Sequence, residues 1–98
     1  MSKHRKRNRN HRRENLWKRY RITIEQFELM LEKQKLKCAV CYCDDPGKLG
    51  WNVDHCHTTG KIRGILCAQC NFSLGRLKDN PIIALSAAVY LFSATQGD

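Results

Sequence analysis

Three observations make this 98-residue chain a small α+β domain with a metal staple, preceded by a basic arm. Two cysteine pairs repeat one spacing, Cys38-Ala39-Val40-Cys41 and Cys67-Ala68-Gln69-Cys70. Between them apolar and polar residues alternate as in a hairpin, and on either side apolar residues recur at helical spacing. The charge is unevenly distributed: ten of the 18 Lys and Arg lie within residues 1–21 against Glu14 alone, so that segment carries +9. Residues 22–98 hold 8 basic and 8 acidic residues and are neutral. The chain therefore divides into a basic arm, 1–21, and a domain, 22–98. So short a domain buries too little apolar surface to be comfortable without a staple.

No stretch approaches the ~20 apolar residues of a membrane helix, and the first residues are too polar for a secretory signal. A reducing cytoplasm and no membrane partner are expected. Disulfides rarely persist there, so a disulfide framework is the weaker reading of the 6 cysteines.

Residues 1–13 contain seven basic residues and no apolar one after Met1. They can bury nothing, which predicts disorder in the free protein. Arg5, Lys6, Arg7, Arg9, Arg12 and Arg13 give the arm the footprint of a nucleic-acid-binding segment. If it neutralises about six phosphates, affinity falls roughly 10³-fold between 50 and 200 mM salt. A solubilising tail, a membrane-attracted tail and a targeting signal are weaker readings, since amphipathic spacing and a lipidation motif are missing.

Leu16, Trp17 and Tyr20 allow a short helix over Glu14–Tyr20, the aromatics serving either base stacking or packing. Thr23 reads as an N-cap and Gln26 completes a capping box. Ile24, Phe27, Met30 and Leu31 then place a helix over residues 24–35. At the cysteine pairs, a gap of two residues lets a tight turn bring both thiolates onto one tetrahedral ion. Two such turns make Cys38, Cys41, Cys67 and Cys70 a structural zinc site. Zinc binding on the order of 10 kcal/mol is linked to folding, so the metal-free chain is expected to be largely unfolded. Cys43 and Cys56 are left without a role; the default for Cys56 is a small, partly buried apolar residue.

Asp44, Asp45, Pro46 and Gly47 read as a turn. Leu49, Trp51 and Val53 alternate with Gly50, Asn52 and Asp54, a strand of period two. Thr58-Thr59-Gly60 turns the chain, and Lys61–Leu66 returns as the second strand. A short helix over about residues 68–77 follows the second pair. Asn80 caps the last helix, with Pro81 in its first turn. Residues 82–92 are apolar except for Ser86 and the Tyr90 hydroxyl, and they are too few to span a bilayer. They predict a core helix with surplus apolar surface for a partner, hence a monomer or a small homo-oligomer joined through that helix.

The polar cluster Asp54-His55-Cys56-His57 sits between the cysteine pairs, and Asn71 directly follows the last cysteine. Asp54 and Asn71 offer hard oxygen ligands suited to Mg²⁺. A histidine beside them can serve as general base, because imidazole ordinarily titrates near neutrality. A base for water and a cation at the leaving oxygen are the parts of phosphodiester hydrolysis. Singly, each residue has a bland reading: a turn for the Asp-His pair, a cap for the Asn. As zinc ligands His55 and His57 are too closely spaced. One geometric condition applies. Asp54 and His55 point to opposite faces of an ideal strand, so they share a site only if the strand ends or bulges there.

Val53-Asp54-His55-Cys56-His57, Thr59-Gly60-Lys61-Ile62-Arg63-Gly64-Ile65-Leu66-Cys67 and Cys70-Asn71, with the first cysteine pair, resemble the phage recombination endonuclease VII-like nucleases. These belong to the wider His-Asn-His, ββα-metal (His-Me finger) endonucleases. The resemblance covers roughly residues 20–92, including Lys78-Asp79-Asn80-Pro81. It implies a zinc-stabilised ββα-metal core with flanking helices, and Cys38, Cys41, Cys67 and Cys70 around structural Zn²⁺. It further implies Asp54 and Asn71 on catalytic Mg²⁺ (Mn²⁺ able to substitute), and His55 activating water. His57 would contact the scissile phosphate or assist proton transfer. Lys61 and Arg63 are candidates for DNA contacts near the cut. The expected substrate is double-stranded DNA, branched forms included, in the cytoplasm of a phage-infected bacterium. Three departures stand out. The family's best-known member carries a Glu three residues after the active-site Asn, where this chain has Leu74; it carries a long C-terminal dimerisation region; and Tyr42 stands where many relatives have Gly. Simple nicking or cutting of DNA is therefore expected ahead of junction resolution. The alternative is a zinc-dependent nucleic-acid-binding protein without catalysis.

Overall fold

Thr23 caps the start of a helix over Ile24–Lys33, as its sequence predicts. Its hydroxyl accepts the Gln26 amide at 3.0 Å, and the Gln26 side chain accepts the Thr23 amide at 2.8 Å, a reciprocal capping box. The computed structural model describes residues 2–97, with side chains over 9–94. The elements are α1 (Ser2–Tyr20), α2 (Ile24–Lys33), β1 (Asn52–His55), β2 (Ile62–Leu66), α3 (Ala68–Arg76) and α4 (Pro81–Gly97).

The segment expected to be disordered is helical instead, as the leading part of α1. Lys and Arg are good helix formers, and the C-terminal end of the helix is anchored where Leu16 enters the core. Arg9 pairs with Glu28, Arg13 reaches Glu25 at 3.4 Å, and Arg12 lies 4.9 Å over the Phe27 ring. The arm thus docks along α2 by charge and cation–π contact, which apolar periodicity cannot reveal. Burial lowers the pKa of Arg12. The side chains of Arg5, Lys6 and Arg7, predicted to contact nucleic acid, lie outside the described residues.

Strands β1 and β2 form a two-stranded antiparallel sheet with register Asn52↔Leu66, Val53↔Ile65, Asp54↔Gly64 and His55↔Ile62. The first strand starts later than the alternation from Leu49 suggests. Gly50 is still turning, at φ 87° with its amide on the Gly47 carbonyl at 3.1 Å, and Leu49 is 93% exposed. Gly60, at φ 78°, takes the left-handed position of the hairpin turn, its amide 2.7 Å from the Cys56 carbonyl.

Leu16, Ile24, Phe27, Val53 and Ile65 make one core; Cys38, Leu66 and Cys67 make a second, and Trp51 packs against both. Gln34, at the end of α2, reinforces the junction. Its side chain accepts the Ile65 amide at 3.0 Å and donates to the Ile65 carbonyl at 2.9 Å, as a third strand would.

Asn80 caps α4 by accepting the amides of Ile82 and Ile83, at 2.9 and 3.3 Å. The helix is not the core helix its composition predicts: Ile82, Leu85, Val89, Tyr90 and Phe92 are all exposed, Tyr90 by 72%. Its apolar residues run all round the cylinder, so no single face can bury them within so small a domain. No helix among the described residues is long and apolar enough to cross a membrane.

Candidate functional site

The two cysteine turns meet. The ligand atoms of Cys38, Cys41, Cys67 and Cys70 all lie within 4.8 Å of one another, and the Cys41 and Cys67 sulfurs are 3.8 Å apart. Each turn aims an amide at sulfur, Val40 at Cys38 and Cys70 at Cys67, both at 3.4 Å. Four converging soft donors fit tetrahedral Zn²⁺. Burial opposes ionisation of Cys38, yet amides from Cys41, Cys67 and Val40 outweigh it and draw its pKa down to about 6. Burial, then the neighbouring thiols of Cys41 and Cys67, push Cys70 up. A doubly charged cation held by Cys38, Cys41, Cys67 and Cys70 would remove that conflict by stabilising all four thiolates together. Tyr42 closes the first turn at φ 63°, the conformation that explains why Gly suits the position. Cys43 is not one of the four converging donors but abuts them, its thiol on the Asp45 carbonyl at 3.3 Å and beside the thiols of Cys41 and Cys67, and Cys56 is half-buried in the hairpin turn.

This frame fixes the hairpin against α3, which opens with Cys67 as its N-cap and carries Asn71 in its first turn. The sheet register slips between Asp54 and His55, leaving Arg63 as the extra residue on β2. The bulge therefore lies on β2, opposite Asp54 and His55, while β1 itself ends at His55, and a bulge re-aims the side chain of its extra residue. Arg63 grips Asp54 with two bonds, Nε to Oδ2 at 2.7 Å and Nη2 to Oδ1 at 3.0 Å. The same Nη2 lies 3.5 Å from Asp79 Oδ2, and that oxygen is 3.2 Å from His57 Nε2. The His57 ring is 5.2 Å from the His55 ring, which is 5.5 Å from Tyr20 of α1. Asp54, Arg63, Asp79, His57 and His55 therefore form one continuous chain of contacts at the turn end of the hairpin. Hydrogen bonding to Asp54, with help from the charge of Asp79, raises the pKa of Arg63.

Asn71 is half-buried on α3, which packs against both strands. Among the described residues, no bond joins it to Asp54 in the way Arg63 is joined. Lys61 is exposed on the hairpin, its amide on the Thr59 hydroxyl at 3.2 Å. Beside the chain of contacts lies an open cleft of about 450 Å³ lined by Cys56, His57, Thr58, Arg63, Lys78 and Asp79. Two members escaped sequence reasoning: Asp79, read only as part of a helix approach, and Gln34, read only as a helix end.

The family model for recombination endonuclease VII matches residues 13–93. The chain belongs to the recombination endonuclease VII family. It is also similar to the gene 59 proteins of Mycobacterium phages D29 and L5, with 38% identity over 61 residues in each case. That match covers 61% of this chain and 37% of each relative, so the chain spans well under half of their length. No solved structure matches it. Against the endonuclease VII pattern, Leu74 is explained by packing: it lies half-buried against the Cys38, Leu66 and Cys67 core.

Proposed function

We propose that this endonuclease VII family member is a Mg²⁺-dependent endonuclease of the His-Asn-His type that nicks or cuts double-stranded DNA. The observation that carries the reading is the run of contacts at the turn end of the hairpin, in which a carboxylate, two imidazoles and a guanidinium lie together beside the helix bearing Asn71. Asp54 already has a cationic partner across both oxygens, the guanidinium of Arg63, so the position suits positive charge. A carboxylate and an amide oxygen suit a hard cation, and Asp54 with Asn71 would hold it. Once bound, such an ion supplies charge stabilisation at the phosphate and the leaving oxygen.

The protein's own groups do the rest. His55 takes the proton from the attacking water as the oxygen bonds to phosphorus and the bond to the leaving oxygen breaks. His57 faces the open cleft, where it contacts the phosphate or assists proton transfer. Arg63 and Lys61 meet the DNA backbone near the cut, and Arg9, Arg12 and Arg13 on α1 add positive charge at a distance. Arg9 and Arg13 form exposed, salt-screened pairs with glutamates, worth little each, and such pairs can be given up for phosphates. The exposed apolar surface of α4 favours a small homo-oligomer.

A purely nucleic-acid-binding protein is the second reading, favoured by Leu74 standing where a third acidic group is expected. The variant His55→Ala separates the two. The nuclease reading predicts loss of DNA cleavage with zinc content and DNA affinity retained; unchanged cleavage removes His55 as the base.

A further inference from the structure

Asp79 is a node that the reading above does not use. It follows α3 in a pair of left-handed residues, Lys78 at φ 59° and Asp79 at φ 53°. Backbone bonds from Lys78 to Gly75 (2.9 Å) and from Asp79 to Leu74 (2.9 Å) lock that turn. The consequence is a carboxylate only 21% exposed, one oxygen of which faces both His57 Nε2 at 3.2 Å and Arg63 Nη2 at 3.5 Å. Arg63 is therefore poised between two carboxylates, fully on Asp54 and at the edge of Asp79. A side chain that leaves Asp54 has a second berth within a small rotation. At the same oxygen, an Nε2–H donated by His57 leaves Nδ1 as the ring's free lone pair.

We propose that Asp79 is a positioning residue: it fixes His57 as the Nε2–H tautomer and receives Arg63 when Asp54 is given over to a cation. This rests on the nuclease reading for its purpose, but not for its readouts. Asn tolerates left-handed backbone nearly as well as Asp, so Asp79→Asn removes the charge and leaves the turn intact.

The test uses the full zinc-loaded chain, with Mn²⁺ as the probe cation. Ring ¹⁵N NMR reports the His57 tautomer, and Mn²⁺ titration followed by electron paramagnetic resonance reports the cation site. In wild type, His57 is expected as a single Nε2–H form; in Asp79→Asn it becomes a tautomer mixture. Mn²⁺ affinity is expected to fall roughly 2- to 5-fold, the worth of one partly exposed ion pair. Adding Arg63→Ala to Asp79→Asn should abolish that loss, because no guanidinium then competes for Asp54. For DNA nicking, kcat should fall about 10-fold, the order that loss of an orienting partner costs, with KM unchanged. An unchanged His57 spectrum together with unchanged Mn²⁺ affinity in Asp79→Asn overturns the proposal. If wild type binds Mn²⁺ yet never nicks DNA, the nuclease reading fails alone, and the NMR and titration still decide whether Asp79 holds His57 and Arg63.

Discussion

Replacing Gln34 by Ala tests how the helices are tied to the hairpin. The Gln34 side chain satisfies the Ile65 amide at 3.0 Å and the Ile65 carbonyl at 2.9 Å, and donates to the Lys37 carbonyl at 2.8 Å. Ile65 is fully buried, and its carbonyl also receives the Ala39 amide at 3.1 Å. Truncation therefore orphans the buried N–H while the carbonyl keeps one partner. An unsatisfied buried donor costs about 1–3 kcal/mol, and no helix propensity offsets it, since Gln34 is the C-cap of α2. In a domain of this size, each kcal/mol lowers Tm by about 4–8 °C. The assay is thermal and urea unfolding of the zinc-loaded protein, with Gln69→Ala on the exposed side of α3 as the control. A destabilisation under about 0.5 kcal/mol, indistinguishable from an ordinary surface change, would refute the role given to this side chain.

Other predictions concern the metal, the first cysteine turn and the last helix. Chelation should release one zinc per chain and collapse the helical circular dichroism, and Cys41→Ser should do the same. Cys43→Ala and Cys56→Ala should retain the metal, as measured by zinc analysis. Tyr42→Gly should stabilise the zinc-loaded protein by about 0.5–1 kcal/mol, since relief of left-handed strain exceeds the entropy that Gly adds and the Tyr side chain is 70% exposed; equal or lower stability would count against the strain. Sedimentation should show concentration-dependent self-association that Leu85→Lys combined with Phe92→Lys abolishes, whereas a wild type monomeric at all concentrations would show that α4 does not mediate assembly.

Local chemistry was readable where it is written in short spacings. The Thr23–Gln26 capping box, the Asn80-Pro81 helix start, the two cysteine turns and the hairpin all occur where nearby residues specify them. The end of β1 was readable only as a condition: for one site, Asp54 and His55 need a strand end or a bulge, and β1 ends at His55 while the bulge falls on β2. Long-range partnerships were not legible. Gln34 meets Ile65, and Asp79 meets His57 and Arg63, across separations that no periodicity encodes. For the α1 arm, missing apolar residues predict disorder, whereas its docking uses Arg9, Arg12 and Arg13 against Glu28, Phe27 and Glu25. Helix α4 departs in the opposite sense: apolar composition implies burial, but burial also needs a facing surface, and Ile82, Tyr90 and Phe92 remain in the open.

The central claim is hydrolysis of DNA at the hairpin site, and plasmid nicking by zinc-loaded wild-type protein tests it most directly. Supercoiled DNA should convert to open-circular or linear form with Mg²⁺ present and remain intact when EDTA is added just before the assay. Tight binding without conversion, with Mn²⁺ and branched DNA also supplied, would contradict the claim and leave a zinc-built binding protein in its place.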